Sequence, residues 1–291
     1  MAHFALVLFG GMRKHPDQFR APIGMYHNDN DIAPHYFVDA TRPWFFYERN
    51  LMNMSGGRAM WDVFIHSNVP STQVQSRMLQ LYQPVSAHFD NKYGSVWRRG
   101  FERLAREHGD CKSCPVKGSA SVVATESRWF SVGRALRLVR EAEQTRGRRY
   151  ARVFITRPDV DLVEPVDVRK YCAGHAYREW SEPPYLQMTS PGAVGEYPAD
   201  WHLVLESTAA ERFGLAVAAH HHRYMLDGRT KGPGFNNDLA RLLKDEASVE
   251  LTKDHLVQGK HILLPVDTNA KVRADRRYAS YFAFRRSGAD R

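Results

Sequence analysis

Cysteine is scarce in this chain: three residues, Cys111, Cys114 and Cys172. An odd, sparse set does not make the disulfide framework of a small secreted domain. Long apolar runs are missing too. The stretch His3 to Phe9 is apolar, yet far short of the ~20 residues a membrane span needs. It lacks the basic flank and small-residue cleavage site of a signal peptide, so the expected compartment is cytoplasmic. There is no G-x-G-x-x-G fingerprint, no Walker sequence, no G-x-S-x-G, no H-E-x-x-H and no kinase-like set, which removes the commonest motif-bearing enzyme classes. Internal repeats and low-complexity segments are also absent.

What is present suits a globular fold. The chain has 291 residues, 43% of them hydrophobic and 12% aromatic, enough for a sizeable core and too apolar for disorder. The formal net charge is +9. A basic excess calls for an anionic partner, and nucleotide diphosphate, nucleic acid, anionic polysaccharide and lipid headgroup all qualify. Part of the excess is local to the segment 273–291, with Arg273, Arg276, Arg277, Arg285, Arg286 and Arg291. This reads as a solvated basic tail, with peripheral membrane or acceptor contact as the lesser alternative.

Strands and helices alternate. Phe4 to Phe9 reads as a strand buried on both faces, ending at Gly10-Gly11. The segment 14–53 has no clean periodicity and reads as an insertion or loop. Strands are expected at Trp61 to Ser67, Val85 to Phe89, Ala151 to Thr156, Trp201 to Leu205, Val249 to Leu251 and His261 to Leu264. Helices are expected over Ser71 to Tyr82, Val96 to His108, Thr125 to Gly147, Thr208 to Leu226 and Phe235 to Glu246. In the third of these, Trp129, Val132, Leu136 and Val139 form the apolar stripe. The pattern implies one α/β domain over 1–291 with a parallel-rich central sheet, in which the strands from Phe4, Trp61 and Ala151 are neighbours.

The sharpest chemical signal follows the strand ending at Thr156: Arg157-Pro158-Asp159-Val160-Asp161. Proline ends regular pairing, so two carboxylates sit in a loop at a strand's carboxyl end, where open α/β sheets bind ligands. Hard carboxylates one residue apart can converge on Mg²⁺ or Mn²⁺, and such an ion neutralises charge on a leaving diphosphate. A solvated acidic loop is the plainer alternative. Gly10-Gly11-Met12-Arg13 lets backbone approach a ligand and puts a guanidinium near phosphate, although a plain tight turn has the same glycines. Cys111-x-x-Cys114 lacks two further zinc ligands in sequence and reads as an incidental loop pair or local disulfide. His220-His221-His222 falls in a helix, where consecutive side chains diverge and cannot share one ion.

In order, these motifs resemble those of small GT-A-like glycosyltransferases of surface-polysaccharide and viral glycan assembly. The resemblance rests on Phe9-Gly10-Gly11-Met12-Arg13, on Asp62-Val63-Phe64-Ile65-His66, on Ser127-Arg128-Trp129-Phe130-Ser131-Val132-Gly133-Arg134, on Arg157-Pro158-Asp159-Val160, and on the segment from Asp200 to Ser207. Gly10 stands where the family has Ser, and Trp201 where it has Gln.

The resemblance implies a GT-A-like (Rossmann-like) fold and a divalent-metal-dependent glycosyltransferase, moving a hexosyl or pentosyl group from a nucleotide-sugar donor to a hydroxyl of a glycan acceptor. Phe9, Gly10, Gly11, Arg13, His66, Arg134 and Arg157 would bind the donor. Asp159 and Asp161 would hold Mn²⁺ or Mg²⁺, and Asp200 would position the acceptor or serve as base. Specific nucleic-acid binding is not expected. Two alternatives are a non-catalytic nucleotide or sugar-binding module and a basic nucleic-acid-binding protein. The intact Asp-Val-Asp argues against the first, and the lack of aromatics interleaved with basic residues argues against the second.

Overall fold

The computed structural model describes residues 2–10, 40–67, 72–90, 119–158, 160–162, 165–181, 197–226, 243–253 and 279–287. Its elements are β1 (Phe4–Phe9), α1 (Thr41–Phe46), a π-helix (Tyr47–Met52), β2 (Trp61–Ser67), α2 (Thr72–Tyr82), β3 (Ser86–Phe89), α3 (Ser119–Arg146), β4 (Arg152–Thr156), β5 (His175–Ser181), β6 (Tyr197–Leu205), α4 (Ser207–Leu226), β7 (Glu250–Lys253) and α5 (Ala279–Arg286). The strands form one sheet in the order β3-β2-β1-β4-β6-β5-β7. Neighbours are parallel except at β6, which is antiparallel to both β4 and β5. The α/β fold with a parallel-rich sheet is as expected, and β1 lies between β2 and β4. Among the described residues no helix is long and apolar enough to cross a membrane.

The sequence of β1 explains its central place. All six residues of Phe-Ala-Leu-Val-Leu-Phe are buried, and successive side chains of a strand point to opposite faces. Phe4, Leu6 and Leu8 join a core with Phe46, Tyr47, Met78, Tyr82 and Tyr281. Ala5, Val7 and Phe9 join a second core with Trp129, Leu136, Phe213 and Val217. A strand apolar on both sides is stable only between two such layers.

Several segments depart from expectation. Residues 41–55 are helical and send Phe46, Tyr47, Leu51 and Met52 into the core, rather than forming an insertion loop. Pro43 is the third residue of α1, within the first turn, where no intrahelical N–H is lost. The next turn widens to a π-helix, so the aromatics there follow no 3.6-residue period. β5 was not expected at all. The helix α3 begins six residues before Thr125, and β6 begins four before Trp201. The basic tail is not wholly solvated: α5 buries Tyr281 and stacks it against Phe45 at 5.6 Å and Phe46 at 6.1 Å between ring centroids. The expected helix at 96–108, the Cys111-x-x-Cys114 pair and the strand at 261–264 lie outside the described residues, as does most of the helix expected from Phe235. The side chains of His220-His221-His222 lie outside them too.

α3 and α4 pack side by side over one face of the sheet, and two glycines set how closely. A Cβ on Gly214 would meet Leu136 Cβ at 2.9 Å, whereas one on Gly133 would meet only ordinary contacts, the nearest being Val217 Cγ1 at 3.5 Å. Gly133→Ala is therefore expected to stabilise by about 0.5–1 kcal/mol through helix propensity. Gly214→Ala should instead destabilise by about 1–3 kcal/mol through overpacking. Urea midpoints of the two variants check this; equal midpoints would mean the helices have slack.

Candidate functional site

The first four strands by position run 3-2-1-4, so the winding direction reverses between β1 and β4. Open α/β sheets bind ligands outside the strands' carboxyl ends at such a reversal. Gly10 follows β1 there, and Arg157 to Asp161 follow β4. β6 enters the same edge from the other direction. Its pairing with β4 runs from Leu205 to His202, which lies opposite Thr156. Phe9, Gly10 and Arg157, at the ends of β1 and β4, lie at one edge of the sheet, and the backbone of Asp200 belongs to β6 beyond that pairing. Gly11, Arg13 and Asp159 lie outside the described residues, as does the side chain of Asp200.

The β1–β2 end is tightly built. Gly10 has φ +86°, a left-handed conformation that side-chain-bearing residues rarely adopt. Its N–H donates to the His66 carbonyl at 3.0 Å and to Ser131 Oγ at 2.7 Å. Its carbonyl accepts from Ser67 Oγ at 2.8 Å. Ser131 comes from α3, so the family-like helix motif does meet the family-like glycine turn. Arg134, one turn on, places its guanidinium over the Phe130 ring at 5.0 Å and lines a groove of ≈ 340 Å³ between α3 and α4.

His66 is fully buried and shares the α3-facing side of the sheet with Phe64, two residues back. In parallel register it sits beside His88 of β3, and the two rings stack at 5.6 Å. Asp90 follows two residues after His88 and reaches both: Oδ2 lies 3.1 Å from His66 Nε2, and Oδ1 lies 2.8 Å from His88 Nε2. On the other side of the ring, His66 Nδ1 lies 2.8 Å from Ser131 Oγ. Burial drives the His66 pKa down to about 4; Asp90 opposes that shift, while His88 and Arg134 add to it. The imidazole is neutral at neutral pH. Among the described residues, His66, His88 and Asp90 form a group that could hold a metal ion. Sequence reading singled out His66 alone. His88 belongs to a four-residue strand with no motif and Asp90 directly follows it, and only the β2–β3 register brings them to His66.

Asp161 behaves otherwise than expected. Its carboxylate is buried rather than presented from an open loop, and Oδ2 accepts from Arg42 Nε at 2.8 Å, with the two side chains 0% and 1% exposed. A divalent ion on Oδ2 would share that oxygen with a guanidinium. Asp161 is one of a row of fasteners. Tyr47 Oη donates to the Arg157 carbonyl at 2.7 Å, Asn50 Nδ2 to the Leu162 carbonyl at 2.8 Å, and Ser55 Oγ to the Val166 carbonyl at 3.2 Å. Val166 N–H in turn donates to the Asn50 carbonyl at 2.7 Å. The segment after β4 is fastened along its length to the π-helix and its flanks, the same residues that sequence periodicity missed. Arg157 is itself buried.

No protein-family model matches the chain, and no curated protein does. Two solved structures are among its likenesses. A CTP:phosphocholine cytidylyltransferase from Streptococcus pneumoniae is 11% identical, with 90% of this chain and 94% of that one covered and a TM-score of 0.40. Mouse xyloside xylosyltransferase 1, in its apo form, is 9% identical, with 83% and 76% covered and a TM-score of 0.34. The fold stands on the strand order above, independently of these likenesses.

Proposed function

We propose that this chain is a cytoplasmic transferase that moves a sugar from a nucleotide-sugar donor to a hydroxyl of a glycan acceptor. The observation that carries the reading is the convergence at the β1–β4 reversal. The glycine turn after β1 and the Arg157-Pro158 segment after β4 stand at the one edge where such a sheet takes a ligand, with β6 running beside β4.

In this reading Phe9, Gly10 and Gly11 give the donor's nucleotide a close backbone surface. Arg13 and Arg134 pair with its phosphates, as guanidinium groups do by charge-assisted, often bidentate, hydrogen bonds. His66 and Arg157 hold the turn and the loop from below. Asp200 orients the acceptor hydroxyl or takes its proton. Mn²⁺ or Mg²⁺ belongs at Asp159, with Asp161 fixing the loop that carries it; when bound, such an ion offsets charge on the leaving diphosphate.

The test is a thermal-shift screen of nucleoside diphosphates and nucleotide-sugars, each with and without Mn²⁺. A ligand at a hundred times its Kd stabilises by about 2.7 kcal/mol, and Arg134→Ala should need more ligand for the same shift. The reading fails if no nucleotide shifts the protein. It fails equally if tight, sequence-selective RNA or DNA binding persists at physiological salt, since a merely electrostatic contact would weaken steeply with salt.

A further inference from the structure

We propose that His66 Nε2, His88 Nε2 and the Asp90 carboxylate are a binding site for one divalent transition metal ion, zinc by ligand preference, with Ser131 as its positioning residue. The site uses no residue of the Asp-Val-Asp segment. It also stands independently of the transferase reading, because its test reads metal binding itself.

Spacing comes first. A tetrahedral ion about 2.0–2.1 Å from each nitrogen and oxygen holds its ligand atoms roughly 3.3 Å apart. The carboxylate oxygens already lie 3.1 Å from His66 Nε2 and 2.8 Å from His88 Nε2. All the candidate ligand atoms fall within 4.8 Å of one another. The His88 ring, 58% exposed, must turn out of its stack with His66 for both lone pairs to meet the ion.

Proton placement is compatible with an ion there. Ser131 Oγ accepts from the Gly10 N–H at 2.7 Å and lies 3.1 Å from the His66 carbonyl oxygen. The hydroxyl's one hydrogen can go to the His66 carbonyl or to His66 Nδ1, 2.8 Å away. When it goes to the carbonyl, Nδ1 carries the ring proton and donates to Ser131, and Nε2 turns a lone pair toward Asp90. A metal ion between Nε2 and the carboxylate would select that tautomer, and an Nδ1–H held by a neighbour is the usual outer-shell support of a histidine ligand.

Chemistry then narrows the ion. Two imidazoles and one carboxylate suit zinc and its neighbours over Ca²⁺ or Mg²⁺, which favour all-oxygen sets. Access is available, since His88 is 58% and Asp90 20% exposed. Three protein ligands leave a fourth position for water or an anionic group. Arg134 is near enough for its charge to act on His66, so an anion on the metal would have a cation beside it.

The experiment is calorimetry of Zn²⁺ with EDTA-stripped full-length protein carrying Cys111→Ser and Cys114→Ser, which removes the competing thiols. One ion per chain is expected, with the stoichiometric phase abolished by His88→Ala and by Asp90→Asn. Both positions are solvent-accessible, so these variants should fold; His175→Ala on β5 should leave binding intact. Ser131→Ala should weaken binding about 10- to 100-fold. Co²⁺ in place of zinc should give the visible absorption of a four-coordinate site, lost in His88→Ala. Equal zinc binding by the parent and His88→Ala would overturn the site, as would no binding by the parent. Full affinity in Ser131→Ala would overturn the positioning role.

Discussion

Arg42→Met is expected to cost about 3 to 5 kcal/mol of stability, because it takes the guanidinium away from a carboxylate with no exposure to water. The size follows from asymmetry. A buried pair adds little over an apolar replacement, but removing one member leaves the other desolvated and without that partner. Asp161→Asn should also destabilise, although by less, since an amide oxygen can still accept from Arg42. The double variant Arg42→Met with Asp161→Leu should recover most of the loss. Denaturant unfolding of the three proteins measures it. A loss under about 1 kcal/mol in Arg42→Met would show that the carboxylate is not tied to this arginine, and would return Asp161 to the metal-ligand role the sequence suggested.

The second large effect is on pH. With metal removed by EDTA, stability should fall by about 3 kcal/mol between pH 7 and pH 4. The His66 pKa is about 4 in the folded chain, against about 6.5 for an unfolded histidine. The unfolded state therefore takes the proton first as pH drops. The contribution is complete above about pH 6.5 and is lost progressively as pH falls toward 4. Asp90 works against the shift, and its removal should steepen the decline. Other histidines titrate in the same window, so the measured quantity is the difference in slope between the parent and His66→Gln. Parallel stability–pH curves would show that His66 is not held neutral by the fold.

The central sheet was legible because β1, β2 and β4 advertise themselves. Runs such as Phe-Ala-Leu-Val-Leu-Phe and Val-Phe-Ile can be buried only as strands between two layers, and their ends carry the glycine turn and the Asp-Val-Asp segment. Trp129, Val132, Leu136 and Val139 likewise gave α3 its buried face. The helical stretch 41–55 was hidden by Pro43, by clustered aromatics and by a π-turn whose period no helical template matches. β5, His-Ala-Tyr-Arg-Glu-Trp-Ser, has too many polar residues to stand out and owes its place to pairing with β6 and β7. At the candidate site the limit was different in kind. His66, His88 and Asp90 are ordinary residues in sequence, and only the register between two parallel strands makes a group of them. The burial of Asp161 was not legible for the complementary reason: its partner, Arg42, lies in a stretch that reads as a loop.

The position of β1 has a consequence for how the protein is made. It is synthesised before both of its neighbours, and it is paired on one side with β2 and on the other with β4, Phe4 lying opposite both Trp61 and Arg152. At roughly 5–20 residues per second on the ribosome, β4 emerges about 7–30 s after β1. For that interval the most apolar segment of the chain has an unpaired edge and no helix α3 to cover it. Such a segment is prone to bind other apolar strands, so the nascent chain should depend on holdase chaperones, and circular permutants that begin at β2 or β3 should be freed from much of that dependence.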